Sequence, residues 1–147
     1  MMIEPIDEKN LNETLPLIRK YQEFYKVTNI DDEKNKVFFS QFGVSSNKGC
    51  VFGYRENKKL VAFATVYFSY ASSIISKIAI MNDLYTSEEY RKKGIATKLI
   101  KHCEKYAKES GAARLQWVTA ASNEPAQSIY RALGAKQSSW EFFTYAT

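Results

Sequence analysis

Three basic residues stand directly before a long amphipathic stretch of the sequence. Residues 91–93 are one arginine and two lysines, and Gly94 begins a predicted helix that runs to about Ser110. The first turn of a helix leaves backbone N–H groups unpaired at the positive end of the helix dipole, where phosphate-like anions bind. Gly94 allows a close approach of the main chain, and Ala96 keeps the entrance narrow. The segment 91–97 is therefore a candidate anion site, with a solvated basic turn as the alternative.

This segment differs from two common phosphate-binding loops. A dinucleotide fingerprint needs three glycines after the first strand of the fold, and a Walker loop needs a Gly-Lys-Ser/Thr run. The segment 91–97 has neither pattern. Any anion bound there would be held by helix amides and neighbouring cationic side chains.

The spacing of apolar residues predicts the elements that position this segment. Ile95, Leu99, Cys103 and Ala107 recur every four residues, which predicts an amphipathic helix that ends at Gly111. Before it, runs rich in Val, Phe, Tyr and Thr predict three consecutive antiparallel strands. The predicted elements are strand 3–6, a helix through 11–25, a helix capped by Asp31 or Asp32, strands 50–54, 60–70 and 74–85, helix 94–110, strand 115–119, a helix between Asn123 and Gly134, and strand 140–145.

The order β-α-α-β-β-β-α-β-α-β predicts an α/β fold with a mixed sheet, because crossover helices join parallel strands and hairpins join antiparallel ones. The 147 residues are 45% apolar and 25% charged, so we expect one domain spanning 1–147. The formal net charge of +5 suits an anionic ligand but falls short of a nucleic-acid-binding region.

The sequence also indicates the cellular compartment in which the protein is expected. No apolar run approaches the ~20 residues of a membrane span, and the N-terminus lacks the pattern of a signal peptide. Two cysteines, Cys50 and Cys103, are too few for a disulfide framework. We therefore expect a cytoplasmic protein that has no membrane partner and binds no nucleic acid.

Two segments resemble the GNAT superfamily of N-acetyltransferases. The first, 82–85 followed by 89–96, resembles its acetyl-CoA signature, Gln/Arg-x-x-Gly-x-Gly/Ala, at the start of the long central helix. The second, 123–135, resembles the family's Asn-x-x-Ala-x-x-x-Tyr-x-x-x-Gly-Ala segment. Together with the order of elements, the resemblance covers essentially the whole chain. Within the superfamily, the chain resembles the spermidine/spermine N-acetyltransferase-like branch.

This resemblance implies a three-layer α/β/α sandwich whose mixed central sheet is splayed between strands 4 and 5. The pantetheine arm of acetyl-CoA would lie between the splayed strands, the segment 91–97 would bind its pyrophosphate, and no metal is implied. The implied coenzyme-binding residues are Leu84, Tyr85, Thr86, Arg91, Lys92, Lys93, Gly94, Ile95, Ala96, Thr97, Asn123, Ala126 and Tyr130.

The implied reaction is direct attack of a neutral amine on the thioester. Tyr130 would protonate the leaving thiolate, and a backbone N–H near Leu84 or Tyr85 would stabilise the oxyanion. An alkylamine with a pKa of roughly 10.4 is mostly protonated at neutral pH, and Asp83 is the candidate base, acting through water. Relatives have an acidic pair where this chain has Asn82 and Asp83, and an amide cannot accept the proton. A period of two places these two side chains on opposite sheet faces.

The acceptor amine is left open by the sequence. Three consecutive acids at 31–33, beside Tyr21 and Tyr25, would favour a cationic acceptor such as a polyamine or a lysine side chain; capping of the second helix is the alternative. The aromatic segment 140–145 either packs internally or forms the edge of a homodimer. A non-catalytic acyl-CoA-binding module of the same fold is the alternative function.

Overall fold

The computed structural model describes residues 2–147 and divides the chain into a larger unit that ends at Trp117 and a smaller unit, Val118–Thr147. Within this described range, no helix is both long enough and apolar enough to span a bilayer. The larger unit contains β1 (Ile3–Pro5), α1 (Leu11–Phe24), α2 (Asp32–Phe39), β2 (Gly49–Glu56), β3 (Lys59–Ala71), β4 (Ser76–Thr86), α3 (Ile95–Glu109) and β5 (Leu115–Gln116), with 3-10 turns at Ser72–Ile74 and Glu88–Tyr90.

One five-stranded sheet forms the centre of the larger unit, in the order β1-β2-β3-β4-β5. The first four strands pair with antiparallel neighbours, and β5 lies parallel to β4. Asn57 and Lys58 connect β2 to β3 with φ of 50° and 65°, the backbone of a tight hairpin whose twist matches the strands. The predicted mixed sheet and its three consecutive antiparallel strands are confirmed.

Helices cover both faces of this sheet, as two neighbouring residues of β2 show. Val51 belongs to the core cluster that includes Ile18 of α1. The next residue, Phe52, packs against His102 and Tyr106 of α3, with ring centroids 4.6 and 5.1 Å apart. Since successive strand residues point to opposite faces, α1 and α3 lie on opposite sides of the sheet. This confirms the three-layer α/β/α arrangement.

Strands β4 and β5 pair only near their beginnings. Ala79 pairs with Leu115 and Ile80 with Gln116, whereas β4 continues to Thr86. From residue 81 onwards, β4 has only β3 as a ladder partner within the described chain. The predicted splay between strands 4 and 5 is therefore confirmed, and it extends along β4 from residue 81 to its end at Thr86.

A β-bulge interrupts β4 at Asn82. Met81 pairs with Val66 and Asp83 with Thr65, so residue 82 is the extra one. A bulge changes the direction of nearby side chains and is frequent beside functional sites. Here the Asn82 amide nitrogen donates to Asp83 Oδ1 at 3.1 Å. The bulge breaks the strict alternation on which the expectation of opposite faces rests, and the two side chains are in direct hydrogen-bond contact.

The smaller unit contains one helix, α4 (Glu124–Ala132), and no strand within Val118–Thr147. Asn123 caps this helix, and its Oδ1 accepts a hydrogen bond from the N–H of Ala126 at 3.3 Å. The prediction of a strand at 140–145 is wrong, and of the two alternatives for its aromatic residues the structure does not support internal packing. High β-propensity alone does not make a strand, since the preference reflects packing against neighbours. Four aromatic residues there are between 87% and 97% exposed: Trp140, Phe142, Phe143 and Tyr145.

We predict that Gly49→Ala strongly destabilises the larger unit. Gly49 begins β2 opposite Tyr67 with a φ of 143°, and an added Cβ would lie 1.9 Å from the Val66 carbonyl oxygen. The clash with main chain and the disfavoured φ should cost roughly 2 kcal/mol or more of unfolding free energy, measured by urea denaturation. Gly43→Ala is the matched control, since a Cβ there would meet no heavy atom within 4 Å. Equal losses in the two variants would contradict this prediction.

Candidate functional site

Helix α3 begins without a capping side chain. Gly94 is its N-cap with φ 80°, no side chain accepts from its first N–H groups, and its first turn contains no acid. The N–H of Lys98 donates to the Gly94 carbonyl at 3.1 Å, so the N–H groups of residues 95–97 precede the first full helical bond. A Cβ at Gly94 would meet no heavy atom within 4 Å, which shows that the space there is open. This helix end therefore meets the requirements of an anion site.

Arg91 connects this helix end to the last residues of β4. Its Nε donates to the Thr86 carbonyl at 2.9 Å, and its guanidinium carbon lies 5.5 Å from the centroid of the Tyr85 ring. A guanidinium has five N–H donors, so the others can still bind an anion. Thr86 is one of the coenzyme-binding residues that the resemblance implies, and its carbonyl already accepts this bond from Arg91.

The two neighbouring lysines extend the positive surface. Lys92 and Lys93 are exposed, and Lys93 Nζ lies 5.2 Å from the centroid of the Tyr90 ring. None of the ion pairs formed within residues 2–147 includes a residue of 91–93. Three positive charges therefore stand beside the open amides without an acidic partner from the described chain.

The other predicted coenzyme-binding residues of the larger unit differ in which of their groups a ligand could reach. Ile95 is buried in the core, so only its N–H can face a ligand. Ala96 and Thr97 are half-buried in the same turn, and Leu84 and Tyr85 are half-buried on the part of β4 that lies beyond its pairing with β5. The structure thus brings the end of β4 and the start of α3 together through Arg91.

Asp83 lies in a buried hydrogen-bond cluster between α1 and the sheet. The residue is 7% exposed, and its carboxylate accepts hydrogen bonds from the Thr65 hydroxyl and the Asn82 amide. Burial, followed by hydrogen bonding to Asp83, raises the pKa of Tyr21 well above its ordinary value. Burial also raises the pKa of Tyr67 to about 12, and the Asp83 charge adds to this shift. Both phenols therefore stay protonated, and we name these five residues the Asp83 cluster.

Thr65 and Tyr67 are members of this cluster that the sequence alone does not single out. They alternate with Phe63 along β3, a pattern that predicts only that the three share one sheet face. Their approach to Asp83 depends on the register between β3 and β4 after the bulge. No local sequence pattern predicts that register, because the register is set by the pairing between strands.

Two of the three acids at 31–33 have structural roles at the start of α2. Asp31 Oδ1 accepts hydrogen bonds from the N–H groups of Glu33 and Lys34 at 2.9 and 3.1 Å, which is N-capping. Asp32 forms an exposed ion pair with Arg19 at 3.1 Å. The structure therefore supports the capping alternative for these acids.

The remaining predicted site residues belong to the smaller unit. Asn123 caps α4, and Ala126 donates its N–H to that cap. Tyr130 follows four positions after Ala126, so the two share one face of the helix. Tyr130 is half-buried, and its carbonyl accepts from the N–H of Ala135 at 3.1 Å.

Comparison with known proteins identifies the family. The profile of the "Acetyltransferase (GNAT) family" matches residues 15–135. The D-amino-acid N-acetyltransferase HPA3 of Saccharomyces cerevisiae is 32% identical over 136 residues, which cover 91% of this chain and 82% of that protein. The thialysine N-epsilon-acetyltransferase of Bos taurus is 27% identical over 144 residues, which cover 92% of this chain and 84% of that protein.

A solved structure shares the fold. AAC(6')-Iy, in complex with the bisubstrate analogue CoA-S-monomethyl-acetylneamine, superposes with a TM-score of 0.82. The match covers 99% of this chain and 97% of that one at 15% identity. Because the family profile covers residues 15–135 and a relative that is 32% identical covers 91% of it, this chain belongs to the GNAT family of acetyltransferases and is an acyltransferase.

Proposed function

We propose that the protein transfers an acetyl group from acetyl-CoA to a primary amine, which is a small-molecule amine, a polyamine or the lysine of a peptide. The observation that carries this proposal is the open N-terminus of α3, with three cations unpaired within the described chain, which Arg91 connects to the end of β4 beyond its pairing with β5. The named relatives differ in acceptor, a D-amino acid in one and thialysine in the other. Their names therefore support the reaction class and leave the acceptor to be found.

The residues of the larger unit fit coenzyme A in charge and shape. The N–H groups of 95–97 and the cations of 91–93 would hold its diphosphate. The edge of β4 at Leu84 and Tyr85 would pair with the pantetheine arm, as an added strand does. In the smaller unit, Asn123 would contact the same arm, and Ala126 is a further candidate coenzyme-binding residue.

When bound, acetyl-CoA supplies the thioester from which the acyl group is transferred. Main-chain N–H groups near Leu84 or Tyr85 would donate to the acyl oxygen, where negative charge develops. The Tyr130 hydroxyl would donate a proton to the departing sulfur. Asp83 would take the proton that the amine must lose, acting through water.

Two finer points accompany this proposal. Cys50 and Cys103 are both free and buried, which supports a reducing compartment such as the cytoplasm.

The exposed aromatic residues of 140–145 support an interface, for which a homodimer is the simplest case.

A thiol-release assay tests the proposal. The protein is incubated with acetyl-CoA and a panel of primary amines, and free thiol is followed with a chromogenic reagent. We expect release that depends on both protein and amine. Tight coenzyme binding without amine-dependent release would instead indicate the non-catalytic module, and absence of both would contradict the coenzyme site.

We predict that Arg91→Glu weakens coenzyme A binding. The change reverses a charge beside the open amides and removes the bond to the Thr86 carbonyl. The Kd, measured by isothermal titration calorimetry, should rise roughly 10- to 100-fold. Lys105→Glu is the control, since it makes the same charge change at an exposed position of α3 outside the candidate site. An unchanged Kd in Arg91→Glu, or an equal rise in both variants, would contradict the assignment.

We predict that Tyr130→Phe lowers turnover much more than it lowers coenzyme affinity. Removal of the hydroxyl takes away the proposed acid for the leaving sulfur, so kcat should fall by roughly one to three orders of magnitude. Steady-state kinetics and calorimetry measure the two effects separately. Tyr145→Phe removes a hydroxyl from an exposed tyrosine of the same unit and should leave both values near wild type. Equal turnover in Tyr130→Phe and the wild type would exclude the acid role.

A further inference from the structure

The opening between β4 and β5 has one closed end, where the two strands meet. Ile80 and Gln116 form the last pair of the ladder, and β4 continues beyond them to Thr86. At roughly 3.3 Å per strand residue, this further part of β4 is about 20 Å long. Trp117 is the first residue after β5. It therefore lies at the closed end of an opening that is long enough for an extended ligand.

The Trp117 side chain is on the face of the sheet that α3 covers. Phe68 of β3 pairs with Ala79, and the Phe68 ring stacks on that of Tyr106 in α3 with centroids 5.5 Å apart. Leu115 of β5 also pairs with Ala79, and paired strand residues have their side chains on one face. Trp117 follows Leu115 by two positions, so the alternation of strand residues places its half-buried indole on this face as well.

The proposed position of coenzyme A directs its acyl end towards Trp117. The segment that would bind the diphosphate is connected through Arg91 to Thr86, at the end of β4 farthest from the closed end. The pantetheine arm would run from there along β4 to the main-chain N–H groups near Leu84. From Leu84 to Met81, where the opening closes, is roughly 10 Å along the strand. Carbon atoms beyond the thioester carbonyl would extend into this space.

The main chain alone would leave room for a longer acyl group than acetyl. The side chains at the closed end therefore decide how much of this space a ligand can use. Met81 is only 4% exposed, so it is already packed against its neighbours. Trp117 is half-buried and keeps surface that a ligand can reach. Its indole is large and rigid, and it is the side chain best able to fill the closed end.

We propose that Trp117 is a specificity-determining residue that closes this opening to acyl groups longer than acetyl. The inference rests on the proposed function and deepens it, because it names the class of donor: the short-chain acyl thioesters of coenzyme A. A longer chain would have to displace the indole or remain in water, so its additional methylene groups would not strengthen binding. In a site that is open at this end, each buried methylene would raise the affinity roughly fourfold.

Equilibrium binding in the absence of an amine tests this inference without turnover. The Kd values of acetyl-CoA and hexanoyl-CoA are measured by isothermal titration calorimetry for the wild type and for Trp117→Ala. We expect the wild type to bind acetyl-CoA at least as tightly as hexanoyl-CoA. Trp117→Ala should improve binding of hexanoyl-CoA relative to acetyl-CoA roughly tenfold or more, since about two further methylenes could be buried. A wild type that binds hexanoyl-CoA more tightly, or an unchanged ratio in Trp117→Ala, would overturn the inference.

A matched control and a milder variant keep the test sharp. Trp140→Ala removes the same side chain at a position that is 91% exposed, and its ratio of Kd values should equal that of the wild type. If Trp117→Ala does not fold, Trp117→Phe should shift the ratio in the same direction by roughly threefold. A merely structural role for Trp117 would weaken the binding of both thioesters alike, which would count against the inference.

A kinetic arm separates this inference from the function on which it rests. Thiol release from the two thioesters is measured with an amine that the wild type acetylates. A higher kcat/KM for hexanoyl-CoA relative to acetyl-CoA in Trp117→Ala supports the inference. If the wild type acetylates amines and Trp117→Ala keeps the wild-type ratio, only the inference fails. If the wild type binds both thioesters but never transfers an acyl group, the proposed function fails and the calorimetric ratio decides the inference. If it binds neither, both fail.

Discussion

The early separation of β4 from β5 is the constraint on which the rest of the site depends. Only Ala79 and Ile80 have ladder partners on β5, although β4 continues to Thr86. Backbone groups that lose a neighbouring strand must find other partners. The Thr86 carbonyl finds one in Arg91, and an extended ligand lying along the strand would satisfy others. The opening therefore links the geometry of the sheet to the chemistry of its ligand.

Much of this arrangement could be predicted because it is encoded locally. Helix α3 was predicted at 94–110 and runs from Ile95 to Glu109, because apolar residues recur every four positions between two glycines. Both Gly94 and Gly111 adopt positive φ, of 80° and 81°, which few other residues accept. The candidate anion site at its start rests on the same local information. The cap at Asn123 was likewise predictable, since its side chain reaches only three residues ahead.

What could not be predicted depends on contacts between distant segments. The bulge at Asn82 is a property of the pairing between β3 and β4, and the sequence of either strand does not show it. For the same reason β5 was predicted at 115–119 but forms only Leu115–Gln116. The residues at 140–145 have strand-forming side chains, and yet no strand forms there, because the preference is expressed only against a neighbour. The Asp83 cluster combines α1, β3 and β4, so it became visible only in three dimensions.

The bond between Arg91 and Thr86 has a mechanical consequence. It ties the loop that would grip the diphosphate to the terminal carbonyl of the strand along which the thioester arm would lie. Binding of the nucleotide at one end of the coenzyme would thus help to position the sulfur at its other end. Short thioesters without a nucleotide would have no group to bind at the segment 91–97, so this connection could not help to orient them. They would then react slowly even at saturation, since remote binding energy is used to orient the reacting atoms.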